Sequence, residues 1–200
     1  MIKCNVTVVG KVFRNSELKE DRNGNPFVTF GLSVCLKDGD ESKDIDISVA
    51  SDGDDNFVLG LSAGDCVKVE GVLTFKRRDD VVFYNLSAGK VTDAGSEEDS
   101  ITGDILFRGT LSGKDIPEKK GKKGGYRIFD AFSTEKIDEE KYSYTWVHFI
   151  DFSGKRAECL APRSRIQAEG DLELQVYNGK VSINCRVKSV EPWEKDNANS

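Results

Sequence analysis

Tyr126, Phe132, Trp146, His148 and Phe152 fall on two stretches of alternating residues, 126–132 and 142–152. In an extended chain successive side chains point to opposite faces. Tyr126, Ile128, Asp130 and Phe132 therefore share one face of the first stretch. Trp146, His148, Ile150 and Phe152 share one face of the second. If Val147 and Phe149 turn inward, the rings line an open surface. Such a row can stack unpaired nucleic-acid bases, each contributing about 1–3 kcal/mol whatever its identity. The opposite parity, with Trp146 in the core, also fits the pattern, and a lone His among apolar residues is commonly just packed.

Cationic residues accompany the rings. The run 118–125, Glu-Lys-Lys-Gly-Lys-Lys-Gly-Gly, places Lys119, Lys120, Lys122 and Lys123 in an expected mobile, electropositive loop. Such a loop suits a phosphate backbone, although taken alone it also reads as a solvated hairpin tip. Lys76, Arg77 and Arg78 occupy a second expected tip, and Tyr177 a third, where its ring can stack. Arg108, Lys155 and Arg156 add further positive charge.

Little else offers chemistry. There is one His in 200 residues, no Ser-His-Asp set and no carboxylate cluster with metal-ligand spacing. The phosphate-cradling patterns GxxxxGK[ST] and GxGxxG are absent. Cys4, Cys35, Cys66, Cys159 and Cys185 are odd in number, widely spaced and without a CxxC, so buried thiols are expected rather than disulfides or zinc. No catalytic residue, metal or cofactor is expected, and the chain reads as a non-enzyme. Asp52 and Asp151 lie at matching places of a repeat described next, where a turn role is expected.

The elements that position these residues come in two sets. Gly10 matches Gly109, Phe30 matches Phe129, Glu70-Gly71 matches Glu169-Gly170 and Val91 matches Val190, all at one offset of 99. The chain reads as a tandem duplication, 1–95 and 101–195, joined by the short acidic linker 93–100. The formal charge of −6 divides unevenly. Residues 1–95 carry −4, residues 96–103 carry −3, and residues 104–200 carry +1. Net acidity disfavours nucleic acid at first sight, but it lies away from the rings.

Alternation predicts five strands per half. They are expected near 6–13, 28–34, 45–50, 67–75 and 82–88, then near 105–111, 127–131, 142–152, 166–174 and 181–187. Asn178-Gly179 predicts a tight hairpin. Gly71 and Gly170, in mid-strand, predict bulges or sharp bends. At offset 99, Ile47, Val49 and Ser51 stand where Trp146, His148 and Ile150 stand. Yet the better apolar parity of that first-half strand is Ile45, Ile47 and Val49, opposite to the choice made for the second half. Either the strand is shifted or one parity is wrong.

Five strands, a long first connection and a short third one match the outline of an OB-fold, although other five-stranded meanders fit the pattern too. The expected architecture is all-β, two tandem five-stranded OB-fold barrels with a short linker. No stretch is long and apolar enough for a membrane helix, and the first residues lack a signal-peptide apolar region. A cytoplasmic protein without membrane contact is expected.

The stretch 145–158, Thr-Trp-Val-His-Phe-Ile-Asp-Phe-Ser-Gly-Lys-Arg-Ala-Glu, resembles the third-strand motif of bacterial single-stranded DNA-binding proteins, with Ser153 as an extra residue. Glu169-Gly170-Asp171-Leu172, Glu70-Gly71-Val72-Leu73 and Val9-Gly10-Lys11-Val12 are similar to that family's other signatures. The resemblance implies OB-folds that stack single-stranded DNA on Trp146 and Phe152, with Phe132 near a third such position. It implies work in DNA replication, repair and recombination. It also implies a homodimer, as for relatives with two such folds per chain. The acidic tail tip usual in that family is missing from 191–200. RNA remains an alternative ligand, and a protein-docking or oligomerisation scaffold remains the alternative function.

Overall fold

The computed structural model describes residues 1–52, 55–78, 81–121, 124–137, 141–153 and 158–194. The first half holds β1 (Ile2–Glu20), β2 (Pro26–Asp38), β3 (Glu41–Asp52), α1 (Asn56–Leu59), β4 (Cys66–Arg78) and β5 (Val81–Asp93). The second holds β6 (Ser100–Leu111), β7 (Glu118–Gly121), β8 (Gly124–Lys136), β9 (Tyr142–Asp151), β10 (Arg165–Tyr177) and β11 (Lys180–Pro192). The described residues are all-β apart from the single turn of α1, which Asp55 caps by accepting from the Phe57 and Val58 N–H groups. Among the described residues no helix is long and apolar enough to cross a membrane.

In the first half β1 pairs with β2 and β4, β2 with β3, β3 in parallel with β5, and β5 with β4. In the second, β6 pairs with β8 and β10, β8 with β9, β9 in parallel with β11, and β11 with β10. Each circuit of pairings returns to the strand on which it began. The inward faces fill with alternating apolar residues: Val8, Phe30, Leu32, Ile47, Leu73 and Leu86 in one half, and Ile105, Phe107, Phe149, Leu160 and Ile166 in the other. The chain divides into two compact units. One is Lys3–Gly103 with Leu174–Ser182, and the other is Met1–Ile2, Asp104–Glu173 and Ile183 onward.

Three expectations change on the structure. The described part of the run 118–125 is not a free loop. Glu118–Gly121 forms β7 and pairs with the start of β8, from Glu118↔Arg127 to Gly121↔Gly124. Backbone hydrogen bonds hold this strand, which has no apolar alternation to announce it. β1 likewise runs past residue 13 to Glu20, crossing two register shifts to pair with β2.

The third strand explains the conflict over parity. Val49 lies opposite Phe30, whereas Phe149 lies opposite Phe129. The separations are 19 and 20 residues, so the constant offset fails here by one. The cause is the connection before the strand. Four residues separate Lys37 from its partner Ser42, and five separate the matching Lys136 from its partner Tyr142. A one-residue slip moves every side chain to the other face, so both parity choices hold: Ile45, Ile47 and Val49 are inward, as are Val147 and Phe149. The residue standing where Trp146 stands is therefore Asp46, not Ile47.

Gly71 lies at an irregularity of the kind expected, and both mid-strand glycines sit against a neighbouring backbone. The register of β4 with β5 shifts at Glu70/Gly71. A Cβ on Gly71 would lie 2.2 Å from the Ser87 carbonyl oxygen, and one on Gly170 would lie 2.1 Å from that of Arg186. Backbone that close leaves no room for a side chain. Gly170→Ala is expected to lower stability by about 1–3 kcal/mol, the usual cost of overpacking. Urea unfolding of the full chain checks it, and an unchanged midpoint would contradict it. Asn178 and Gly179, with φ of 49° and 68°, make the expected tight turn.

None of the five cysteines forms a disulfide; Cys4 and Cys185 are buried and the other three half-buried. Burial pushes the Cys185 thiol up to about 12.

Candidate nucleic-acid interface

Cross-strand pairing between β8 and β9 sets the geometry of the outer face. Phe132 lies opposite Trp146, Asp130 opposite His148, and Ile128 opposite Ile150. Tyr126 and Phe152 continue the row, with ring centroids 5.9 Å apart. Directly opposed residues share a face, so these side chains form one surface. Its counterpart inside is a packed core in which Phe149 stacks on Phe129 at 5.0 Å and meets Phe107 edge-on at 5.0 Å. The inward demand of Val147 and Phe149 is what turns Trp146 and Phe152 outward, where they are 42% and 51% exposed. Tyr126 and Phe132 are half-buried beside them.

The rings form two groups. Phe132 contacts Trp146 at 5.0 Å and Tyr144 at 5.6 Å. Tyr126 contacts Phe152, and the Arg186 guanidinium sits 5.1 Å from the centre of the Phe152 ring. That distance fits a cation–π contact. Tyr144 and Arg186 are new to the candidate set. Tyr144 was legible in the sequence, since it extends the alternation of Trp146 by one step. Arg186 was not, because only the parallel pairing of β11 with β9 brings it beside Ile150.

Between the groups lies the only histidine. His148 Nδ1 is 2.6 Å from Asp130 Oδ1. An ionised carboxylate only accepts hydrogen bonds, so Nδ1 carries the proton it donates. At the far end of the face, Arg127 is buried and anchors the β7–β8 hairpin. Its guanidinium donates to Glu118 at 3.2 Å and lies 4.0 Å from the buried Asp151 carboxylate. Asp151 in turn accepts the Ser153 N–H at 2.8 Å, a turn role as expected.

The cations are placed unequally. Lys119 lies opposite Tyr126, on the ring face, while Lys120 lies opposite Gly125, on the reverse. Lys122, Lys123, Lys155 and Arg156 lie outside the described residues. Arg108, half-buried, lies two residues before Thr110, the β6 partner of Phe132, and donates from Nε to Gln167 at 2.6 Å. Lys76, Arg77, Arg78 and Tyr177 belong to the other compact unit. The first three end β4, and Tyr177 falls within 174–182. There the Gly179 carbonyl accepts from Lys43 at 2.5 Å, and the Gly179 N–H donates to Glu41 at 3.3 Å. Among the described residues no group of three His, Cys, Asp or Glu can hold a metal ion.

The matching face of the first half differs in kind. Asp44, Asp46, Ser48 and Ala50 stand where Tyr144, Trp146, His148 and Ile150 stand, with Asp52 at the place of Phe152. Asp44 accepts from the Cys35 thiol and raises its pKa, and the Cys35 N–H donates to Asp99 at 2.8 Å. Where one half shows rings, the other shows carboxylates.

No family model and no curated protein matches the chain. Solved structures do. The wild-type single-stranded DNA binding protein from Thermus aquaticus is 13% identical, with 100% of this chain and 96% of that chain covered, at a TM-score of 0.51. The chain has the fold of that protein. A deletion mutant of the same Thermus aquaticus protein is 14% identical, with 98% and 96% covered, at a TM-score of 0.48. The small single-stranded DNA-binding protein from Streptomyces coelicolor is 22% identical, with 48% of this chain and 94% of that one covered, at a TM-score of 0.38.

Proposed function

We propose that this chain is a non-catalytic single-stranded DNA-binding protein built from two OB-type barrels, 1–95 and 101–195, which assembles as a homodimer. Its second barrel binds by stacking bases on Trp146, Phe132, Tyr126 and Phe152, with Tyr144 extending the platform. The observation that carries the reading is the row of outward rings on β8 and β9, held out by a core beneath them. The fold shared with the Thermus aquaticus protein supports it, since that protein is named for binding single-stranded DNA. Lys119 and Arg186 stand at the ring face to meet phosphates. The first barrel contributes scaffold: Asp44, Asp46 and Asp52 on its matching face repel a polyanion.

Salt dependence tests the electrostatic part. Each phosphate neutralised on a single strand lowers the slope of log K against log salt by about 0.7. Lys119→Gln is expected to make the slope shallower by about that amount, and Lys120→Gln, on the reverse face, to leave it nearly unchanged. Equal slopes for Lys119→Gln and the wild type would contradict the placement. A protein that binds no single strand even at low salt would instead point to a docking scaffold, for which the carboxylate face of the first half is the suited surface.

A further inference from the structure

The two ring groups leave one polar interruption between them. Asp130 and His148 occupy one cross-strand level of the face, with Phe132 and Trp146 on one side and Ile128 and Ile150 on the other. Successive levels are two residues apart, about 6.6–6.8 Å along a strand. A base stacked on Trp146 thus has its edge within reach of the pair. The two side chains are 51% (His148) and 32% (Asp130) exposed, and so open to a ligand.

The pair is also fixed in character. Asp130 Oδ1 is taken by His148 Nδ1 at 2.6 Å, and in the neutral ring that donation leaves Nε2 as an acceptor. The other Asp130 oxygen is likewise an acceptor. The level therefore presents two acceptors side by side. A platform that only stacked bases would have no use for this, because a carboxylate near a phosphate backbone costs affinity.

We infer that Asp130 and His148 give the ring face a preference for bases that carry an exocyclic amino group, cytosine over thymine in particular. The inference rests on the single-stranded DNA reading above. Cytosine offers two N4 amino hydrogens to carboxylate acceptors, whereas thymine has O4, itself an acceptor, at that corner, and its single N3–H donor is flanked by two carbonyl oxygens. Held by its neighbour, the Asp130 carboxylate keeps one orientation and discriminates without reorganising.

Fluorescence anisotropy with end-labelled oligo-dC and oligo-dT of equal length tests this at pH 8. The wild type is expected to bind oligo-dC about tenfold more tightly than oligo-dT. Asp130→Asn removes the charge and introduces amide N–H donors, so both affinities are expected to rise while their ratio falls to near one or reverses. The ratio separates base reading from simple repulsion, which would raise both affinities equally. His148→Phe, which keeps a ring and loses the acceptor and the clamp, is expected to reduce the ratio as well. Both sites are exposed, and unchanged thermal midpoints will show that the variants are folded. Equal wild-type affinities for the two oligonucleotides, or a ratio unchanged in Asp130→Asn, would overturn the inference. Failure of the wild type to bind either oligonucleotide would overturn the single-stranded DNA reading beneath it.

Discussion

Replacing Trp146 by alanine is expected to weaken binding of oligo-dT by about tenfold to a hundredfold, the equivalent of about 1–3 kcal/mol for one stacked base. Oligo-dT suits this test because thymine brings no amino group to Asp130, leaving stacking as the main base-dependent contact. Trp146 is 42% exposed and touches Phe132 at 5.0 Å, so a base on the indole also covers part of the phenyl ring. The loss should fall on binding rather than on folding, because Val147 and Phe149 beneath it hold β9 in place. An affinity within twofold of the wild type would remove Trp146 from the interface.

Phe149→Ala is expected to produce the largest loss of stability, about 3–5 kcal/mol, as for other buried rings cut to alanine. Phe149 is 1% exposed, stacked on Phe129 and edge-on to Phe107, so β8 and β6 both lose a partner at once. The same ring sets the parity of β9. Without it, the inward preference of the strand rests on Val147 and Thr145, and the outward row loses its support. Urea unfolding followed by circular dichroism checks the loss. A change below about 1 kcal/mol would mean that the core tolerates the cavity, and that β9 owes its orientation to something else.

Much of this arrangement was legible in the residues. Alternation placed the central strands, Asn178-Gly179 the hairpin turn, and Gly71 the bulge between β4 and β5. The outward set on 126–132 and 146–152 followed from one parity choice, which the pairing of Phe129 with Phe149 bears out. What escaped depended on partners distant in sequence or on backbone alone. β7 has the composition of a loop, and the far end of β1, 14–20, has no apolar alternation, so both are strands only because β8 and β2 supply hydrogen-bond partners. Arg186 reaches Phe152 through the parallel pairing of β11 with β9. The one-residue difference between the third strands was hidden by the constant offset elsewhere. It concealed the most informative contrast between the halves, Asp46 in place of Trp146.

That contrast gives the net charge its meaning. The acidity of the first half is not merely spread over a solvated surface. Asp44, Asp46 and Asp52 occupy the positions that carry rings in the second half, and Asp99 of the linker binds the Cys35 N–H nearby. On this account one half repels phosphate where the other stacks bases, so binding is confined to one face.

The most direct test follows the indole itself. In a Trp193→Phe protein, Trp146 is the only tryptophan left. Titration with oligo-dT is expected to quench its fluorescence strongly and saturably, with an apparent affinity that falls steeply as salt rises. Binding detected by gel shift without any change in Trp146 emission, or no binding at low salt, would contradict the account.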